Sequence, residues 1–276
     1  MSPDDAGLST NSVAYVEYKT RLTEHLRKYY GECLGLDEWR VRLSIKRRLA
    51  RERGGELARI LDDLVGLSGT RMLDVGSGWG ELLLECIERG AVGSGIELDA
   101  EEVAISELLL KSRGFEPRII EGRGEALPWP DESFDLVTCQ QVLEHVDDIE
   151  RVVSEMLRVT RPGGSMFVST PNYLFPYEGH YMLKWFPLLP KRIGARILRA
   201  KGRDPTFLLE HVNYTTYTSM RRLWRRHRLP ARNITLELAR SRRHKSTIYR
   251  SSVVRRAVLA LRLFPNVSWL VTKPPR

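Results

Sequence analysis

Met72-Leu73-Asp74-Val75-Gly76-Ser77-Gly78-Trp79-Gly80 runs straight into Glu81-Leu82-Leu83-Leu84-Glu85-Cys86-Ile87. A short apolar run, a glycine cluster and an apolar stretch with flanking acids predict, in that order, a strand, a tight turn and a helix. Glycine lets a backbone turn sharply and approach a ligand closely, and a helix N-terminus offers N–H groups with no partner of their own. The spacing here is G-x-G-x-G, which departs from the G-x-G-x-x-G of dinucleotide sites.

Outward from this turn the alternation continues. Strands are predicted at Arg71 to Val75, Gly93 to Leu98, Arg118 to Glu121, Phe134 to Cys139, Ser165 to Ser169, Ile234 to Ala239 and Val267 to Thr272. Helices are predicted at Glu81 to Arg89, ended by Gly90, at Ala100 to Arg113, ended by Gly114, and at Ile149 to Val159, ended by Arg161-Pro162-Gly163-Gly164. Strands alternating with amphipathic helices imply an α/β chain with a doubly wound, mostly parallel seven-stranded sheet. Upstream, Leu57, Ile60, Leu61 and Leu64 recur at helical spacing, so residues 1–67 read as an N-terminal helical extension and residues 68–276 as the main domain. Residues 172–217 are rich in proline and aromatics without a clear period, which predicts an inserted cap or lid after strand five.

Glu97 ends the second predicted strand 21 positions after Gly76, where a carboxylate can accept both ribose hydroxyls of an adenosine ligand. Asp74 stands at the tip of the first strand, where its charge would repel a pyrophosphate but attract a sulfonium or an ammonium. The pair therefore favours S-adenosylmethionine over a nicotinamide dinucleotide.

Five further stretches stand in order: LDVGSGWG at 73–80, GIELD at 95–99, EALPWPDESFDLV at 125–137, QVLEHVDD at 141–148 and RVTRPGGSMFVSTPN at 158–172. Together they resemble the class I S-adenosylmethionine-dependent methyltransferases, in particular the ubiquinone-type O-methyltransferase branch. The resemblance implies a Rossmann-like methyltransferase fold. It also implies a loop of Asp74, Gly76, Ser77, Gly78 and Gly80 that holds the methionine part, with Glu97 and Leu98 at the ribose and base. Gly124, Glu125 and Gln140 would form further pocket wall. The family commonly has an acid followed by alanine at the adenine edge, and here Arg123-Gly124 stands in that place. Trp129 is a candidate either for the adenine edge or for the core.

Methyl transfer is an in-line displacement at a carbon already activated by positive sulfur, so alignment dominates and can contribute roughly 7 to 11 kcal/mol. A base that removes a hydroxyl proton adds about two to four powers of ten. Three histidines are candidates on the acceptor side. His145 follows the fourth strand, His180 lies in Glu178-Gly179-His180-Tyr181, and His211 follows Glu210. Nothing in their spacing fixes metal geometry, and no metal is assigned.

Charge is divided unevenly. Residues 1–190 carry 22 Lys+Arg and 32 Asp+Glu, a net of −10, whereas residues 191–276 carry 22 and 3, a net of +19. The basic C-terminal third implies an anionic partner, whether a phosphorylated substrate, an acidic membrane or nucleic acid. The tract Tyr181-Met182-Leu183-Lys184-Trp185-Phe186-Pro187-Leu188 beside the basic stretches Ile193 to Arg203 and Met220 to Arg228 favours a membrane surface reached through residues 181–276. RNA is the weaker partner because no RNA-binding module is recognisable. The start of the chain lacks the pattern of a secretory signal, and no apolar run reaches the length of a spanning helix, so a cytoplasmic location is expected, with peripheral contact at the inner membrane face. Cys33, Cys86 and Cys139 are far apart, which predicts reduced thiols. The function expected is methylation of an oxygen on a small or lipid-linked acceptor, a quinone-like phenol or a saccharide. RNA methylation, dinucleotide-dependent oxidoreduction and a non-catalytic binding role are the alternatives, and the oligomeric state stays open.

Overall fold

The structure is a computed structural model and describes residues 13–50, 52–186, 188–241 and 264–276. The chain divides into two compact units, one up to Gly124 and one from Glu125.

The first unit opens with α1 (Val13–Arg27), a π-helical turn (Lys28–Cys33), α2 (Glu38–Leu49) and α3 (Glu52–Val65). Then come β1 (Arg71–Val75), α4 (Glu81–Ile87), β2 (Val92–Glu97), α5 (Ala100–Lys111) and β3 (Ile119–Glu121). β1 pairs in parallel with β2, and β2 in parallel with β3. Met72, Leu73, Asp74 and Val75 are all buried, the near-continuous burial expected of a parallel strand covered on both faces. A side chain at Gly93 would meet Leu83 Cδ1 at 2.7 Å and Ile87 Cγ1 at 2.8 Å, so a glycine there lets α4 lie close on β2. Asp99 caps α5 by accepting from the N–H groups of Glu101 and Glu102.

The second unit holds β4 (Phe134–Gln140), α6 (Ile149–Val159) and β5 (Thr160–Pro171). A small hairpin of β6 (Tyr177–Glu178) and β7 (Leu183–Lys184) follows, then α7 (Lys191–Ala200), α8 (Thr206–Glu210) and α9 (Tyr217–Arg226). β8 (Ala231–Asn233), α10 (Thr235–Ser241) and β9 (Asn266–Thr272) complete it. β4 and β5 are parallel, whereas β9 runs antiparallel to both β5 and β8. With β1 to β3 these strands make the mostly parallel seven-stranded sheet that the alternation predicts. Val152, Val153, Met156 and Val159 line the buried stripe of α6, and Asp148 caps it.

One predicted strand is misplaced. Ile234 to Ala239 is expected to be the sixth strand, but the strand is Ala231–Asn233 and a helix begins at Thr235. Ile234, Leu236 and Leu238 alternate as in a strand, yet Ile234 and Leu238 are also four apart, and both are buried. Asn233 decides the matter, because its Oδ1 accepts from the Thr235 N–H at 3.2 Å and so starts a helix.

Candidate active site

In the first unit the site is built around the turn after β1. Gly76, Gly78 and Gly80 all have positive φ, at 70°, 53° and 75°, in the left-handed region that favours glycine. The N–H groups of Gly76 and Ser77 both donate to Ile96 O, which fastens the turn to the end of β2. Glu97 then reaches back across it. One carboxylate oxygen accepts from Gly78 N–H at 2.9 Å and the other from Leu98 N–H at 2.7 Å and Asp99 N–H at 3.2 Å. Burial, aided by the nearby Glu102 charge, raises the Glu97 pKa above the usual carboxylate value, against the pull of those N–H groups. Two carboxylate oxygens offer about four lone-pair positions, so hydroxyl donors can still be accepted beside the backbone bonds. Asp74 is 3% exposed, and Leu98, directly after the acid, stands 58% exposed.

Trp79 anchors the turn to the N-terminal helices. The Arg48 guanidinium lies 4.7 Å over its ring, and His25 meets it edge-on at 6.1 Å. His25 also contacts Glu102 at 3.1 Å while Arg21 pairs with Glu101, so α1 is held to the start of α5. The Glu102 carboxylate is the main cause that raises the His25 pKa. Gly80 is the tightest point. A Cβ there would lie 2.9 Å from Ser106 Cβ, at a φ that L side chains rarely adopt. Gly80→Ala is expected to destabilise the fold by about 1 to 3 kcal/mol, read as a lower melting temperature. An unchanged melting temperature would mean that the turn relaxes without strain.

In the second unit the segment after β4 is clamped to residues 211–213. His145 Nδ1 donates to His211 O at 2.6 Å, Asn213 N–H to Glu144 O at 2.6 Å, and Asn213 Nδ2 to Val146 O at 2.7 Å. His180 lies on the other side. Its Nε2 is 3.3 Å from His145 Nε2, and its Nδ1 is 2.7 Å from Glu178 Oε1. The structure thus brings the three predicted histidines together, with the His211 contribution coming through its carbonyl and ring. Phe207 is the common neighbour, its ring 5.4 Å from His145, 5.2 Å from His180 and 5.8 Å from His211.

The cluster sorts its own protons. Since Nδ1 of His145 donates to a carbonyl, its Nε2 is the acceptor. Burial, with His180 beside it, lowers the His145 pKa to about 4. His180 goes the other way, because the buried Glu178 carboxylate outweighs the burial of the ring and raises its pKa. Glu178 is lowered in turn by His180 and also accepts from Tyr181 N–H at 2.6 Å. Glu144 is fully buried, and neither carboxylate oxygen has a hydrogen-bond partner among the described residues. Burial pushes its pKa up to about 7. The nearest base is His145 Nε2, 3.9 Å from Glu144 Oε1.

Glu144, Glu178 and Phe207 are the members of this cluster that sequence reasoning missed. The two acids stand one and two positions from predicted histidines, and that proximity was the available signal. Glu144, His145 and His180 each offer an atom within 4.8 Å of the others, a donor set that a divalent cation could take once its ligands are deprotonated. The outer partners, Glu178 on His180 and a backbone carbonyl on His145, are of the kind that orient metal-bound histidines.

The remaining predicted residues divide. Gln140 ends β4, and Gln141 after it has a φ of 58°, a strained position at the strand's C-terminal end. Glu125 Oε1 accepts from Asp147 N–H at 3.1 Å, which ties it to the approach to α6. Trp129 meets Phe134 edge-on at 5.5 Å, and its carbonyl accepts from Arg158, which favours the core role for that ring. Gly124 closes the first unit. In the aromatic tract, Trp185 is buried against Gly194, whose added Cβ would meet the ring at 2.7 Å, whereas Phe186 is 73% exposed. Only the second of that pair is therefore available to a surface. Cys86 and Cys139 are buried and all three thiols are free. No helix among the described residues is long and apolar enough to cross a membrane.

Residues 73–168 match the family described as Methyltransferase domain. The ubiquinone biosynthesis O-methyltransferase of Pseudomonas savastanoi pv. phaseolicola is 35% identical over 172 residues, 58% of this chain and 74% of that protein. The protein of the same name from Pseudomonas fluorescens strain Pf-5 is 37% identical over 151 residues, 49% of this chain. The match spans 65% of that relative's length, just under two thirds. Among solved structures, the YcgJ protein from Bacillus subtilis has a TM-score of 0.54 at 19% identity, covering 79% of this chain and 98% of its own. Geranyl diphosphate methyltransferase in complex with SAM also scores 0.54, at 17% identity, covering 89% and 94%. At those identities the likeness is one of fold. With a glycine turn and an acid at the end of β2, and relatives at this level of identity, the chain belongs to the class I S-adenosylmethionine-dependent methyltransferases and resembles their ubiquinone O-methyltransferase branch.

Proposed function

We propose that the protein transfers the methyl group of S-adenosylmethionine to an oxygen of a small acceptor, a quinone-like phenol or its lipid-linked form. The observation that carries the reading is the Glu97 carboxylate, which is fixed by Gly78 N–H at the mouth of a turn with three left-handed glycines. An acid there suits a ribose, and the buried Asp74 beside it suits a cationic ligand better than a pyrophosphate. The acceptor class is supported by the name of the relatives, ubiquinone biosynthesis O-methyltransferase.

In this reading Asp74, Gly76, Ser77, Gly78 and Gly80 hold the methionine part. Glu97 accepts the ribose hydroxyls, Leu98 offers an apolar face to the base, and Gly124, Glu125 and Gln140 complete the wall. The cofactor supplies a methyl group on positive sulfur. When bound, S-adenosylmethionine would give its methyl group to the acceptor oxygen and leave as S-adenosylhomocysteine, while the acceptor's hydroxyl proton would pass to the protein. Glu144 is the receiving group. A base works best when its pKa lies near the working pH, and Glu144 at about 7 meets that condition where His145 at about 4 does not. His145 and His180, the latter held by Glu178, orient the acceptor oxygen. A divalent cation on Glu144, His145 and His180 is the second reading, favoured by their common approach within 4.8 Å.

Phe186, Leu188, Ile193 and Ile197 are exposed on the same stretch as the exposed Arg192 and Arg196, and this supports contact with an anionic membrane surface at its cytoplasmic face.

Calorimetric titration tests the cofactor, with S-adenosylhomocysteine expected to bind and nicotinamide dinucleotides expected not to. Methylation of a catechol-type phenol, followed by mass spectrometry with and without a chelator, tests the acceptor and the cation. Dinucleotide binding without S-adenosylhomocysteine binding would overturn the proposal.

A further inference from the structure

α9 carries two sets of basic residues with different surroundings. On one side Arg226 and His227 both pair with Glu150, at 2.7 and 2.8 Å. On the other, Arg221, Arg222 and Arg225 are exposed, and no acid pairs with them among the described residues. Arg221 and Arg225 are four apart on one helical face, where like charges repel and destabilise the helix. Among the described residues no acid compensates that repulsion.

These two arginines line a groove of about 320 Å³ together with Tyr217, Trp224, Asn233 and Trp269. Its walls are α9 on one side and the β8–β9 strands on the other. No carboxylate among the described residues lines it. The indole N–H groups of Trp224 and Trp269 and the side-chain N–H of Asn233 are buried and have no acceptor among the described residues. The Asn233 amide is oriented by its oxygen, which already accepts from Thr235 N–H at 3.2 Å. Tyr217 and Trp269 lie 5.3 Å apart, a tilted aromatic pair beside the two cations. A groove with two exposed guanidinium groups and flat rings, and with no acid among the described residues, suits an acceptor-only anion on an apolar or aromatic body.

We propose that this groove binds a phosphate-bearing ligand, with Arg221 and Arg225 clasping the phosphate and Tyr217 and Trp269 contacting the group that carries it. Guanidinium pairs engage phosphate oxygens in parallel, a geometry that a lysine does not reproduce. The site lies apart from Glu144, His145, His180 and Glu97 in sequence and in side chains used, and it does not depend on the methyl-transfer reading. The phosphate could belong to a soluble ester or to a lipid headgroup.

Titration of the full-length protein with phenyl phosphate, and cosedimentation with phosphatidic acid vesicles against neutral phosphatidylcholine vesicles, separates those sources. The test variant is Arg221→Gln with Arg225→Gln, both exposed and therefore safe for folding. Its control is Lys46→Gln with Arg47→Gln, two exposed residues whose replacement removes the same charge from α2. Loss of roughly tenfold or more in affinity for phenyl phosphate or for the acidic vesicles, in the test variant alone, is the expected result. Arg221→Lys with Arg225→Lys is expected to recover only part of it. Equal loss in test and control would show unspecific charge attraction and overturn the proposal, as would no binding of either probe. Tight RNA binding through the same arginines, with neither phosphate probe bound, would also overturn it. Affinity for S-adenosylhomocysteine is expected to be the same in all of these variants, so failure here leaves the cofactor reading standing.

Discussion

Glu144→Gln is expected to lower kcat by about two to four powers of ten while leaving the affinity for S-adenosylhomocysteine within a factor of about two, a small change on the scale where tenfold is 1.4 kcal/mol. The glutamine keeps the shape of the side chain and removes its capacity to hold a proton. In the wild type, activity should rise with pH as Glu144 ionises near its value of about 7, and the variant should lose that limb of the profile. Stability should move in the opposite direction. The unfolded chain releases this proton near the ordinary carboxylate value, whereas the folded chain keeps it to about 7. Between those values the folded state binds more protons, so stability falls as pH rises through that window and stays reduced above it. Glu144→Gln removes the buried charge, and its melting temperature at pH 8 is expected to exceed the wild type's by roughly 5 °C. Thermal melts at pH 5 and pH 8 check this, with the difference between the proteins confined to the higher pH. Full activity in the variant would show that the proton goes elsewhere.

Glu97→Ala is expected to weaken S-adenosylhomocysteine binding by about 1.5 to 3 kcal/mol, the usual worth of hydrogen bonds to a charged group, or on the order of ten- to a hundredfold. The loss has two parts. The ribose hydroxyls lose their acceptor, and the N–H groups of Gly78, Leu98 and Asp99 lose the carboxylate that holds the turn to β2. Glu97→Gln retains one acceptor oxygen and should fall between wild type and alanine. Because burial raises the Glu97 pKa, binding should also weaken on acidification sooner than an exposed glutamate would allow. Calorimetry across pH reads both effects. An alanine variant with unchanged affinity would mean that the ribose is held by another group.

The sheet and the glycine turn were legible because their signals are local. A glycine that must adopt positive φ, as Gly76, Gly78 and Gly80 do, announces its place in the sequence, and so does an acid at the end of a parallel strand. Ile234 to Ala239 was misread because alternation and helical spacing coincide over so short a run, and one Asn233 hydrogen bond decides between them. The histidine cluster was half legible. His145, His180 and His211 could be named as candidates, but the proton acceptor we propose is their neighbour, Glu144. Its value depends on burial in a segment held by residues more than sixty positions away, such as Asn213, and sequence carries no local trace of that. Trp185 was likewise misjudged as a surface anchor, since only the close approach of Gly194 shows that its ring faces inward.

Phe207 carries no charge and offers no hydrogen bond from its side chain, yet its ring touches all three histidines of the cluster. A hydrocarbon wall of this kind keeps the local dielectric low, and burial raises the proton affinity of Glu144 while it lowers that of His145. The pH at which the cluster works is thus written partly in an apolar position. Evolution can retune an acid–base pair by trimming or enlarging that one ring, with every polar residue left in place. A comparison of relatives restricted to their titratable residues would then miss the substitution that sets their working range.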